Sequence, residues 1–324
     1  MILLYHRVAS LDLDPWRLAV SPRHFAEHLE VLRRHRRPVS LADLCARVAG
    51  RGSTRALVAV TVDDGYADNV DAALPLLERH DVPATFFVVS GGLGDGREFW
   101  WDALERLVLG AGRLPAELTL RIDDTAHRWL LAEDAEWSPA RRDDHRGWRA
   151  WTGEAPTRRH ALYRALHAQL APLDPVARDD TLDHLHVWAG VDTRARPTHR
   201  RLDPGEVQRL ATPHLADIGA HSVTHARLSS LSADVQATEI DGGRHQLEEL
   251  TGRPVLDFAY PFGKAGDFTA ETVRLVREAG FRSACGNTIG PVTREIPPFA
   301  LPRIHMDDCD GDELARRLAA AATC

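Results

Sequence analysis

The chain has 324 residues, a formal net charge of −7, and a composition that is 44% hydrophobic and 27% charged. That length holds one large α/β domain or two ordinary ones around a sizeable core, and the apolar share excludes disorder as the dominant state. The mild acidic excess argues against a nucleic-acid surface, and no run reaches the roughly eighteen continuous apolar residues of a membrane span. Of the 40 basic residues all are Arg except Lys264, a bias of composition rather than a set of phosphate clamps. Cys45, Cys285, Cys309 and Cys324 have no paired spacing, so neither a zinc knuckle nor a disulfide framework is expected. The opening MILLYHRVAS meets His6 and Arg7 too early for a secretory signal, which makes a cytoplasmic enzyme the expectation.

In chain order, the pair His24 and His28 comes first, in PRHFAEHLEVLRRH, where Phe25, Leu29 and Leu32 form the apolar stripe and the histidines read as a solvated face. Leu57 to Val62 (LVAVTV) is a β-branched run that reads as a buried strand, and residues 69–80 carry helical spacing through Val70, Ala73, Leu74 and Leu77. A strand ATFFVVS follows Pro83 and stops at Gly91-Gly92. The last third repeats the rhythm: DIGA before His221, a helix over 232–250, a strand over 255–260 and a helix over 269–279. Strands near Phe281 and Ala300 and a terminal helix from Asp312 complete it. Such alternation favours a parallel sheet covered on both faces, open or closed into a barrel.

Between these flanks, residues 97–200 give no strong strand signal and hold seven of the eight tryptophans. This stretch reads as a mainly helical insertion in a single domain spanning 1–324. Its tryptophans either build a core of their own or line a sugar-stacking cleft, with Trp100 and Trp101, just beyond a strand end, the candidates for the cleft.

Three short motifs carry chemistry. Asp63-Asp64-Gly65 places two carboxylates at the C-terminal end of a buried strand, where α/β folds bind ligands, although Asp-Gly is also an ordinary turn dipeptide. Adjacent residues point to opposite strand faces, so a Gly-assisted turn is needed to bring both into one pocket. His221 and His225, four apart, lie on one face if the segment is a helical turn and can then grip one metal. With 17 histidines, chance alone gives roughly one such pair. Tyr260-Pro261-Phe262-Gly263 forces a turn whose backbone N–H could face a substrate oxygen, or closes a core aromatic cluster.

Together, DDG, H-S-x-x-H and YPFG after successive strands resemble the polysaccharide deacetylase family, the NodB-homology group or carbohydrate esterase family 4. The opening LLYHRV and Phe99-Trp100-Trp101-Asp102 look like a bacterial subgroup with a YPFG third motif. The resemblance covers about residues 1–96 and 201–324. It implies a distorted (β/α)₇ barrel and removal of an N-acetyl group from an amino sugar or glycoconjugate, with a divalent metal, zinc by expectation. By motif position Asp63 is the general base, and Asp64, His221 and His225 are metal ligands. Three protein ligands leave open positions at such a metal. Tyr260 or Phe262 supplies the oxyanion amide, and Trp100, Trp101, Tyr260, Phe262 and His6 contact substrate.

The sequence departs from the family where an Arg usually supports the base, since Ala259 stands there. Arg303 and His305 alternate onto one strand face, so Arg303 is expected to take over that support and His305 to protonate the leaving amine, with His6 its rival. Lys264 reads as a surface residue, or as a contact to an anionic substrate group. Two other readings stay open: a same-fold C–N hydrolase acting on a cyclic ureide or imide, and a catalytically silent carbohydrate-binding protein.

Overall fold

The computed structural model describes residues 1–50, 52–122, 125–212 and 214–321; Cys324 lies outside the described residues. Two units emerge: residues 1–10, 18–95 and 201–324 form one, and residues 11–17 and 96–200 the other. The first is built on seven parallel strands: β1 (Ile2–Tyr5), β2 (Leu57–Val62), β3 (Ala84–Val88), β4 (Ala216–Ala220), β5 (Asp257–Ala259), β6 (Ser283–Cys285) and β7 (Ile304–His305). Their order across the sheet is β6-β5-β4-β3-β2-β1-β7, with Arg37–Pro38 pairing beside β2. The sheet is a half-barrel. Its two edges are bridged by the segment entering β7, where Leu301 N–H donates to Ala284 O (2.9 Å) and Arg303 N–H to Thr288 O (3.0 Å).

The β2 sequence explains its place. All six residues are buried, as expected of a parallel strand covered on both faces. Val58, Val60 and Val62 join the large core that includes Phe25, Leu29, Leu77 and Phe86. Leu57 and Ala59 join a second cluster with Ile2, Phe87, Ala259, Cys285 and Leu301. Period-two alternation then carries Thr61 and Asp63 onto the same face as Ala59. Each fully buried valine contributes about 1.5–3 kcal/mol, so the register of β2, and with it the placement of Asp63, is strongly fixed.

The expected helices form close to their predicted limits: Ala233–Thr251, Ala270–Glu278 with a Thr269 capping box, and Gly311–Ala321. The 69–80 helix opens with a π turn over Asn69–Ala73 before Leu74–His80. There Asn69 Nδ2 donates to His6 O (3.0 Å), tying the turn to the exit of β1. One reading fails: His28 is fully buried rather than solvated. Its Nδ1 meets Tyr5 Oη at 3.2 Å and its Nε2 lies 2.7 Å from Cys309 O. At i+3 from Phe25 it falls within the apolar stripe beside Leu29, and its polar atoms are satisfied there.

The second unit holds all eight tryptophans, because residues 11–17 bring Trp16 into it. Helices Arg158–Leu170 and Pro175–Ala189 are its longest elements, but an antiparallel pair, Glu117–Ile122 with Thr125–Leu130, also belongs to it. That pair adds strands to a stretch read as mainly helical without a strong strand signal. Its first strand buries Leu118, Leu120 and Ile122 in strict alternation with exposed Glu117, Thr119 and Arg121. Trp16 Nε1 donates to Tyr163 Oη (2.7 Å), and His167 sits between Trp16 and Trp100 at ring separations of 4.3 and 4.8 Å.

Candidate active site

Asp63 continues β2 through its amide, which donates to Tyr5 O (2.9 Å). Its carboxylate, 1% exposed, receives both arms of Arg303: Nη1 to Oδ1 and Nη2 to Oδ2, each at 2.7 Å. Arg303 is itself 1% exposed, and its other donors reach Gly286 O (3.0 Å), Thr61 Oγ1 (3.3 Å) and Asn287 Oδ1 (3.0 Å). Burial works against its charge, but the facing Asp63 outweighs it and holds Arg303 above its ordinary value. A bidentate pair of this kind fixes the plane of the carboxylate as well as its charge. Sequence alternation placed Arg303; nothing local marked Asn287 as its second partner.

Asp64 turns away from the strand at φ +74° and Gly65 follows at +97°. A non-glycine residue with positive φ is uncommon, and here it re-aims the second carboxylate into the space beside the first. The histidine segment differs from expectation in the same way, for residues 221–225 are no helical turn. Ser222 and His225 have φ of +62° and +54°, and three donors of the loop converge on Glu239: Val223 N (3.1 Å), Thr224 N (2.9 Å) and Thr224 Oγ1 (2.8 Å). Spacing alone gave the pair of imidazoles; the long-range carboxylate that shapes the loop had no signal. Gly91 is required beneath it, since a Cβ there would stand 2.6 Å from Val223 O.

The result is a convergent donor set. His221 Nε2 and His225 Nε2 each lie 3.5 Å from Asp64 Oδ1, and His221 Nε2 is 3.8 Å from Asp63 Oδ2. One ligand atom from each of Asp64, His221 and His225 falls within 4.8 Å of the others, and all three residues are buried. His221 Nδ1 is 2.7 Å from Ala259 O and donates to it, so Nε2, on the Asp64 side, is the nitrogen left to ligate a cation when the ring is neutral. Two imidazoles and one carboxylate at this separation fit a divalent cation of the zinc type, and the tautomer-fixing carbonyl is the usual outer support. Burial disfavours the Asp64 charge, but the hydrogen bond with His221 and the charges of His6, His225 and His221 together outweigh it, holding its carboxyl well below the usual range. For His221 burial is outweighed chiefly by Asp63, so its pKa is raised.

His6 and His305 lie at the ends of neighbouring strands with ring centroids 5.3 Å apart. Burial, then the His6 charge, pushes His305 down to about 4, and burial lowers His6 as well. Tyr260 stands differently from its expected role: its amide donates to Cys285 O (3.0 Å), its hydroxyl to Phe299 O (3.0 Å), and its ring stacks on Phe268 at 3.9 Å. Both donors are committed to the core. Phe262, at φ +61°, keeps its ring 5.0 Å from that of His225. Lys264 is exposed. Trp100 and Trp101 are 3% and 6% exposed within the second unit, where Trp101 stacks on Phe99 at 4.7 Å.

The second unit has a cluster of its own, Asp102, Glu105 and His199, all buried. Here Arg196 supplies the positive charge, bonding Glu98 Oε1 at 2.9 Å and Glu105 Oε1 at 3.1 Å.

The sequence model of the polysaccharide deacetylase family matches residues 50–110 and 185–284, so Arg303 and His305 lie beyond the matched span. No curated protein sequence matches the chain. Among solved structures, the chain is similar to a Streptococcus pyogenes deacetylase, PplD, in complex with acetate, with a TM-score of 0.59 and 15% identity over 98% of this chain and 96% of that one. It is similar to IcaB from Ammonifex degensii, with a TM-score of 0.58 and 18% identity over 100% of this chain and 96% of that one. A de-N-acetylase from Aggregatibacter actinomycetemcomitans gives a TM-score of 0.54 and 12% identity over 98% of each chain. At these identities the likeness is one of fold, and the half-barrel matches the NodB-type (β/α) barrel of deacetylases. The DDG and HSxxH segments thus fall within a match to the polysaccharide deacetylase family, on the barrel that its solved relatives share.

Proposed function

We propose that this protein is a metal-dependent N-deacetylase that hydrolyses the acetamido group of an amino sugar or glycoconjugate, of the YPFG-type bacterial subgroup. The observation that carries this reading is the meeting of Asp64, His221 and His225 beside a carboxylate, Asp63, that is clamped by Arg303 and free of the donor set. A silent binder needs only the donor set; the second, oriented carboxylate is what hydrolysis requires.

Asp64, His221 and His225 would hold the cation, zinc by its donor chemistry. When bound, it supplies Lewis-acid polarisation of an amide carbonyl and acidification of a water. Asp63 accepts the proton of the attacking water, and Arg303 keeps the accepting oxygens aligned. The Phe262 amide, rather than that of Tyr260, is the turn donor assigned to the developing oxyanion. His305 returns a proton to the departing amine. Since burial holds its ring uncharged at neutral pH, the proton it delivers is acquired within the cycle, and the balance is met by the one that Asp63 takes from the attacking water. Trp100 and Trp101 stay assigned to the substrate side as part of the proposal.

The test is acetate release from N-acetylglucosamine derivatives by metal-loaded protein, with metal content measured in parallel. Asp63→Asn should bind metal as the parent does while losing about 10³-fold in turnover. Hydrolysis of a cyclic ureide without acetate release would transfer the chemistry to the rival C–N bond.

A further inference from the structure

Asn287 lies just beyond β6 and faces two parts of the site at once. Its Oδ1 accepts from Arg303 Nη2 at 3.0 Å, and its Nδ2 donates to Phe262 O at 2.6 Å. Its amide also donates to Gly263 O at 2.7 Å. We propose that Asn287 is a positioning residue that couples the orientation of the base to that of the oxyanion-side turn; this rests on the deacetylase reading above.

The donor count makes the first half of the coupling. Arg303 has five N–H groups: Nε goes to Gly286 O, Nη1 to Thr61 Oγ1 and Asp63 Oδ1, and Nη2 to Asp63 Oδ2 and Asn287 Oδ1. Asn287 therefore completes a fully satisfied buried guanidinium, which has a single orientation. The turn makes the second half. Phe262 occupies a left-handed conformation, φ +61°, that a bulky residue adopts only when its surroundings hold it there. The Asn287 side chain and backbone hold the Phe262 and Gly263 carbonyls respectively, so the two successive peptide planes cannot swing independently. A Cβ on Gly263 would stand 3.0 Å from Asn287 N, which shows how closely the two segments are set. The assigned Phe262 N–H belongs to the preceding peptide plane, whose Pro261 O accepts from Gly263 N–H at 2.7 Å. Through the held 262–263 plane it is referenced to Arg303, and through it to Asp63. A side-chain amide carries both an acceptor for the guanidinium and a donor for the carbonyl.

Asn287→Ala and Asn287→Asp test this in the full chain. The aspartate keeps an acceptor for Arg303, replaces the donor to Phe262 by an acceptor and adds a carboxylate charge. Both variants should lower kcat about tenfold or more while KM and zinc affinity stay within about twofold, because a misaligned amide is felt in the transition state. Hydrogen exchange over residues 262–264 should quicken in both, with the β2 peptide unchanged. Unaltered exchange, or unaltered kcat in an active enzyme, overturns the proposal. A parallel fall in kcat, metal affinity and melting temperature would also overturn it, as general loosening. If the parent protein releases no acetate, the deacetylase reading falls, whereas exchange at 262–264 still decides whether Asn287 holds the turn.

Discussion

The two units each bury a cluster of carboxylate and imidazole, and they differ in where the balancing positive charge comes from. In the second unit Glu98 and Glu105 share the guanidinium of Arg196, with bonds of 2.9 and 3.1 Å. In the barrel unit the guanidinium of Arg303 is spent on Asp63, and the ion partners of Asp64 are the two imidazoles of His221 and His225. A neutral imidazole offers a lone pair rather than a charge. Both clusters draw on carboxylate and imidazole, in opposite proportions, and the neighbouring charge differs as well. One cluster is an ion network closed by the chain itself, and the other is a candidate site for a cation.

The largest effect expected from breaking this division is at Arg303. Arg303→Ala leaves Asp63 buried without its partner, which should cost about 3–5 kcal/mol of stability and remove the alignment of the base. Arg303→Lys should recover little of either, because an ammonium cannot reproduce the bidentate plane. Urea unfolding together with acetate release measures both; a lysine variant with parental turnover would show that alignment is irrelevant.

Metal binding sharpens the comparison directly. The parent protein should take up one zinc per chain and gain about 4 kcal/mol at a thousandfold excess over Kd. His225→Ala should abolish uptake, whereas His199→Ala should leave the stoichiometry unchanged. Loss of zinc from the His199 variant would make the second cluster a metal site after all.

Much of this was legible in the sequence because strand alternation is a local rule. The LVAVTV run placed Asp63 on its face, and the expectation that Arg303 meets Asp63 agrees with their paired side chains. What escaped depended on partners distant in sequence. Glu239, sixteen residues beyond Val223, makes the histidine loop a positive-φ turn instead of a helix. Asn287 has meaning only once Arg303 and Phe262 are both beside it. Tyr260 was assigned by its motif, yet its donors are drawn into the core by Cys285 and Phe299. The hairpin at 117–130 was missed despite a readable period-two pattern, because the Arg and Glu on its outer face masked the alternating Leu and Ile.

The smallest effect tests the closed network. Burial pushes Glu105 up to about 7 against the opposing pull of Arg196, from an ordinary value of 4.5. Between those two values the folded unit holds a proton that the unfolded chain does not. Stability from this group is therefore present at lower pH and is lost as pH rises through about 7. From pH 6 to 8 the parent should lose on the order of 1 kcal/mol relative to Glu105→Gln, which cannot ionise. All eight tryptophans lie in this unit, so fluorescence-detected urea unfolding reads it selectively. Equal pH dependence in the two proteins would mean that Arg196 neutralises Glu105 completely. The contrast with the barrel cluster would then be one of a finished ion pair against an open donor set, with no residual proton demand on either side.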